Sequence, residues 1–315
     1  MKAESVIHRC GVRLAAAAVL VAGVLLTGCN IQPQPYVYRR TFVEGQADIV
    51  RGAPNAFLDK GGHYFWSMPY KLIYWEWTIG NHSITQDTED VLRAYVELND
   101  LYKVRIRLNE YAPIDDFSRL WNNSDVGVVY RFTFGLYFWV YQTVIPGRVF
   151  AGMPFAGDTY NPWTNTVHVY SGQTEYALRH VALAKYYSQR EYPGTSAMAR
   201  LVPFVDTYQD KQAARDVIGY LYARRYKQNE LDGYGILCAQ LGSSPGESLA
   251  KLVGPLMPVV QTVVTIPSTV VGHMMGNSQS KERAMVADPP LGSELTAGVQ
   301  PSAAPESVKT GTQKQ

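Results

Sequence analysis

The sequence predicts an α+β fold in which helices dominate and the sheet is small. Two observations carry this. Amphipathic stretches of helical period recur between residues 85 and 227, while strict alternation is confined to two short runs, 103–108 and 166–170. No repeat of solenoid length interrupts them. A single domain of ordinary size, residues 61–230, accommodates these elements. Around it the sequence places a leader (1–28), a tether (29–60), an apolar segment (231–275) and a disordered tail (276–315).

The leader has a positive start at Lys2, Arg9 and Arg13, followed by the uncharged Ala/Val/Leu-rich run Leu14–Leu26. It ends Leu26-Thr27-Gly28-Cys29, the layout of a bacterial lipoprotein signal. Cys29 is then the first mature residue, diacylated on sulfur, and the chain is held at the cell envelope by lipid of the palmitate kind. An ordinary secretory signal that happens to contain a cysteine is the alternative. The apolar run is shorter than the roughly 20 residues a bilayer span needs. Asn30 is not the aspartate that often retains lipoproteins at an inner membrane, which points to the outer membrane of a two-membrane cell. Residues 29–60, rich in Pro, Gln and Gly without a sustained period, read as the tether.

Within the domain, Tyr70–Trp77 is aromatic and of mixed period, so helix and strand are not separable there. Thr85 or Asp87 caps a helix to Leu101, with Val91, Leu92, Tyr95, Val96 and Leu98 on its apolar face. In Lys103–Leu108 a strand puts Val104, Ile106 and Leu108 on one side and Arg105 and Arg107 on the other. Pro113 and the Asp115/Asp116 pair open a short helix through Trp121. Phe132–Pro146, uncharged between Arg131 and Arg148, reads as a buried helix. Asn161–Asn165 turns into a strand whose Val167 and Val169 oppose Thr166, His168 and Tyr170. Ser171 or Thr174 caps a helix to about Glu191, which Pro193-Gly194 ends. A further helix runs from Ser196 to Lys227 with a break near Pro203. Leu252–Met275 carries no charge but contains three prolines, so a bent or hairpin segment on the membrane or on the domain fits it best.

Removing the leader takes the net charge from +2 to 0, and a neutral exported protein has no electrostatic footprint for nucleic acid. Of three cysteines, Cys10 leaves with the leader and Cys29 takes lipid. Cys238 is left alone, a buried inert thiol, so no internal disulfide is expected. His63 and His82 read as loop or surface histidines. Ser83, Ser171 and Ser243 lack a nucleophile elbow, and Gly152 and Gly157 form no phosphate-binding pattern.

A strand, a capped helix and a second helix bearing an acid form the layout of zincin metallopeptidases. In that group His-Glu-x-x-His on the first helix holds zinc and activates water. From Trp75 to Tyr222 the chain resembles one branch of the group, a family of uncharacterised bacterial envelope proteins. The resemblance rests on Asn81-His82, on Val104–Pro113, on Tyr160-Asn161-Pro162-Trp163-Thr164-Asn165-Thr166, and on Ala184-Lys185, Gly194-Thr195 and Arg215–Tyr220. It implies a zincin-like domain and places the first ligand histidine at Arg179, the catalytic glutamate at His180, the second ligand at Leu183 and the downstream acid at Asp210. Arg179 does not deprotonate and Leu183 has no lone pair, so the catalytic motif is degenerate.

Two substitutes follow. Arg179 and Asp210 could meet as an ion pair where zinc once sat, or His168, His180 and Asp210 could form a rearranged metal site. The sequence thus predicts a non-catalytic, lipid-anchored binding or scaffold domain without metal or cofactor. Its partners are the membrane, through Cys29 and Leu252–Met275, and an envelope protein. The alternative is a metal-dependent hydrolase using His168, His180 and Asp210.

Overall fold

Three parallel strands and one antiparallel edge strand form the sheet on which the helices are arranged. The computed structural model describes residues 29, 31, 36–38, 45–151, 156–253, 265–288 and 295–297; for 247, 249–253 and 295–297 it describes the backbone alone. The leader, Gly152, residues 254–264 of the apolar segment and most of the tail beyond 288 lie outside the described residues.

The first half contains β1 (Tyr36–Tyr38), β2 (Asp48–Arg51), α1 (Ala56–Gly61), a π-helical turn (Gly62–Trp66), α2 (Met68–Tyr74), α3 (Gln86–Leu98), β3 (Arg105–Leu108) and α4 (Pro113–Asn122). Then come α5 (Val128–Tyr130), a second π-helical turn (Arg131–Gly135), α6 (Leu136–Val144), β4 (Thr159–Asn161) and β5 (Thr166–Val169). The chain closes with α7 (Thr174–Ser188), α8 (Pro193–Ala199), α9 (Val205–Ala223), α10 (Lys227–Val253), α11 (Ile266–Ala284) and β6 (Leu295–Ala297). The helix-dominated α+β class is as the sequence predicts.

The four strands lie in the order β2-β3-β5-β4, with β4 antiparallel to β5 and the others parallel. The register sets Ile106 beside Val167 and Leu108 beside Val169, all fully buried. The opposite face pairs Arg105 with Thr166 and Arg107 with His168. That face is closed as well: Arg107 is only 1% exposed. Parallel strands with both faces covered are the normal case.

The helices follow local chemistry. Thr85 caps α3 by accepting from the Thr88 amide, and Leu92, Tyr95 and Val96 are its buried face. Pro113 opens α4. Thr174 is the first residue of α7 and not its cap, and its hydroxyl bonds that of Thr88 at 2.8 Å. The expected break near Pro203 separates α8 from α9. α2 resolves the ambiguous aromatic run as helix and ends at Trp75 in a left-handed conformation.

Five expectations are corrected. Residues 29–60 are no free tether: Cys29, Ile31 and Tyr36 are buried, β2 joins the sheet and α1 follows. The Tyr36 hydroxyl sits between Asn99 (3.0 Å) and the Lys185 ammonium (3.0 Å), and Lys185 reaches Asp216 at 2.6 Å. α6 is not buried; none of its residues is, and Tyr137 and Val144 are well exposed, because aromatic packing from Phe117 to Trp139 covers one side only. His82 is no surface histidine; its side chain is 3% exposed and its Nδ1 lies 3.1 Å from Asn109 Oδ1.

Fourth, the domain does not end at residue 230, nor does the tail begin at 276. α10 and α11 form an antiparallel hairpin, and α10 packs on α7 and α9. At Gly242 and Gly272 a side chain would collide with the backbones of Ser268 and Cys238, so only glycine allows the helices this close. Among the described residues no helix is long and apolar enough to cross a membrane. Fifth, Cys29 and Cys238 are disulfide-bonded, with Cα atoms 5.3 Å apart. A sulfur in a disulfide has no valence left for a diacylglyceryl group, so the two fates of Cys29 exclude each other.

Two buried acids give the fold a pH dependence. Burial pushes the Asp158 carboxyl up to about 7 against the pull of its bonds from Tyr170 and Ser171, and Glu175 is likewise pushed up to about 7 by burial. Each group holds in the folded state a proton that the unfolded chain releases near pH 4. Stability is therefore greatest below about pH 4 for these groups and is lost as pH rises to about 7. Wild-type urea midpoints are expected to fall between pH 5 and pH 7.5, and Asp158→Asn to fall less. Equal falls in both proteins would refute this assignment.

Candidate functional site

α7 is the central helix of the domain, buried along most of its length, including His180 and Leu183. α9 lies against it and brings Asp210 opposite Arg179. The Arg179 Nη2 is 3.4 Å from Asp210 Oδ1, and both side chains are mostly buried. The expected ion pair is thus in place. Arg200, in the turn between α8 and α9, adds a second and closer guanidinium at 2.8 Å. Gln209, next to Asp210, accepts from the Tyr187 hydroxyl at 2.6 Å and donates to the Ser196 carbonyl at 3.0 Å. Together these contacts clamp α7, α8 and α9.

His180 is 5% exposed and packs edge-on against Tyr176. Among the described residues neither ring nitrogen has a hydrogen-bond partner. Burial, then the cations Arg179 and Arg200, hold its pKa well below that of an ordinary imidazole. The ring is therefore neutral at neutral pH, and any added positive charge would face two fixed guanidiniums. Leu183 is core.

His168 belongs to a different cluster. Its Nε2 lies 3.7 Å from Asp116 Oδ2, and Asp116 in turn accepts from Arg107 Nε at 3.1 Å. Burial lowers its pKa, with Asp116 pulling up and Arg107 down. The ring lines a cavity of about 20 Å³ with Asp116, Gln142 and Thr159, room for about one water. The charged neighbours of His168 are thus Asp116, Arg107 and Glu110, whereas those of His180 are Arg179 and Arg200. His168, His180 and Asp210 are not brought together. Among the described residues no group of three His, Cys, Asp or Glu could hold a metal ion.

The residues that carry the family resemblance hold the scaffold in pairs. Asn109 Nδ2 donates to the His82 carbonyl, and Asn81 Oδ1 accepts from the Ser83 and Gly172 amides. Lys185 meets Asp216 across α7 and α9. Asn161 Oδ1 caps the β4–β5 turn through Trp163 N, and Asn165 completes it with φ at +51°. The sequence places Arg107 only on a strand face and does not single out Arg200. Arg200 carries no local signal, whereas the Asp115/Asp116 pair, which starts seven positions after Leu108, could have revealed the ion pairs of Arg107. Comparison with known proteins finds no family model, no curated protein and no solved structure that matches this chain.

Proposed function

We propose that the protein is a lipid-anchored component of the cell envelope, at the outer membrane where there are two, whose zincin-like domain binds or scaffolds and does not hydrolyse. The observation that supports this is the pairing of Arg179 and Arg200 with Asp210; the resemblance sets two of these residues, Arg179 and Asp210, at metal-ligand positions. A water-activating zinc needs deprotonated ligands and an open coordination position. Here one ligand position is a permanent cation, one is an alkane, and the remaining acid is neutralised twice.

Elemental analysis of the purified chain, followed by peptidase assays with added zinc, tests the reading. We expect no stoichiometric zinc and no peptide cleavage. Stoichiometric zinc that disappears in His180→Ala, with cleavage lost in the same variant, would instead establish the rearranged hydrolase.

The Cys29–Cys238 pairing favours a second reading of the address, an envelope protein exported by an ordinary signal and free of lipid. Both readings leave the binding role of the domain unchanged.

A further inference from the structure

α11 carries part of the apolar stretch that the sequence singles out, and only its inner side is used by the fold. Gly272 and Gly276 set that side against the backbone of α10. The outer side presents Ile266 and Met274, and Met274 is 66% exposed. From Ile266 to Ser280 the helix contains no acid, lysine or arginine. Burial holds the His273 imidazole below its ordinary pKa, so it adds no charge at neutral pH.

α2 extends this surface. The Tyr74 hydroxyl meets that of Ser243 in α10 at 2.9 Å, and the His273 ring stacks on Trp75 with centroids 4.7 Å apart. Trp75 is nevertheless 61% exposed, and Leu72, three residues earlier, is 60% exposed. The backbone of Trp75 has φ at +49°, a conformation that suits glycine at a helix end and disfavours a bulky side chain. Charges nearby on α2 and the loop after it are engaged elsewhere. Lys71 is buried and donates to the His63 carbonyl at 2.9 Å, and Glu76 accepts from the Thr78 amide at 3.0 Å.

The seat of Cys29 points to what covers this surface. Gln279 of α11 donates to the Cys29 carbonyl and accepts from the Ile31 amide at 3.1 Å. These are backbone contacts, so they do not depend on what the Cys29 sulfur carries. Gln279 lies five residues beyond Met274, about 7.5 Å along the helix axis. Acyl chains on Cys29 would therefore enter a bilayer beside α11. A bilayer asks for no charged partner, and its interface favours indole rings with an apolar body and a polar tip.

We propose that Leu72, Trp75, Ile266 and Met274 form a docking patch that beds in the lipid surface beside the anchor. Lipid contact accounts for an exposed indole that neither burial nor backbone preference explains. The proposal rests on the reading of the chain as lipid-anchored, and it names the face turned to the bilayer.

The test is flotation of the full mature chain, residues 29–315, produced without the leader and so unacylated. The probes are vesicles of phosphatidylcholine and of phosphatidylethanolamine with phosphatidylglycerol. Binding to both is expected, and it should persist at high salt because apolar insertion is not screened. Met274→Ser, at an exposed position, should weaken binding about tenfold, the transfer value of one apolar side chain. Val140→Ser on the exposed side of α6 should leave it unchanged. Brominated lipid should quench tryptophan fluorescence, and Trp75→Phe should remove most of that quenching. No binding by the wild-type chain overturns the proposal, as does equal binding by Met274→Ser. Binding lost in Val140→Ser but kept in Met274→Ser overturns it in favour of α6. Self-association abolished by Met274→Ser, without vesicle binding, overturns it in favour of a second copy. The chain tested carries no lipid, whereas the mass of Cys29 reports on the anchor, so the two failures are distinguishable.

Discussion

Arg107→Met is expected to lower the unfolding free energy by about 3–5 kcal/mol, the usual cost of breaking a buried ion pair from one side. The side chain is 1% exposed and lies among three carboxylates. It pairs with Asp116 at 3.1 Å and closely with Glu110 and Asp115. Burial opposes its charge, but Asp116 and Glu110 outweigh that and raise its pKa. Asp115 is 42% exposed, so water takes over its solvation and little of the loss comes from there. Asp116 is different: it is 13% exposed, and the other ionisable group beside it is His168, which burial keeps neutral. Removing Arg107 strands this carboxylate against the sheet. The double variant with Asp116→Leu should therefore be more stable than Arg107→Met alone. Urea unfolding followed by circular dichroism measures both, and equal or lower stability of the double variant would remove the stranded charge as the cause.

Cys238→Ser is the second large effect, and its size depends on the fate of Cys29. A bridge between Cys29 and Cys238 closes a loop of 209 residues. Long loops gain most in the chain-entropy account, and native disulfides contribute typically about 2–4 kcal/mol. In an oxidised, unacylated chain, Cys238→Ser should lower the melting temperature, and reductant should reproduce the shift. In a diacylated chain neither should act beyond the small change of a buried thiol to a hydroxyl. Mass spectrometry of the N-terminal peptide before and after reduction reads the same question directly. A diacylglyceryl mass on Cys29 with no response to reductant supports the lipid anchor, and a Cys29–Cys238 cross-linked peptide rules it out for that molecule.

Local chemistry was legible in the sequence and distant closure was not. Thr85 and Pro113 announce helix starts because a cap acts within three or four residues of itself. The alternation of Lys103–Leu108 announces a strand for the same reason. It does not show what closes the arginine face: Arg107 is covered by Asp115 and Asp116 of α4, which only the folded connection brings back. At Phe132–Pro146 the reading fails. Absence of charge reads as burial, yet α6 has packing partners on one side only. At the candidate site, the pairing of Arg179 with Asp210 followed from aligned positions on two helices. Arg200 lies outside both, and nothing in its neighbourhood marks it. The contact between Cys29 and Cys238 is likewise invisible to spacing.

On the proposal that Cys29 carries lipid, the seat of Tyr36 would fix how far this protein can work from a bilayer. Its hydroxyl is gripped by Asn99 and Lys185, on elements at the heart of the domain. Six residues lie between it and Cys29, a reach of about 25 Å when fully drawn out. With lipid on Cys29 the domain is less a lure on a line than a fitting bolted to a wall. It could sample only what comes within a few nanometres of that surface, and could not sweep the width of the compartment in search of a distant ligand.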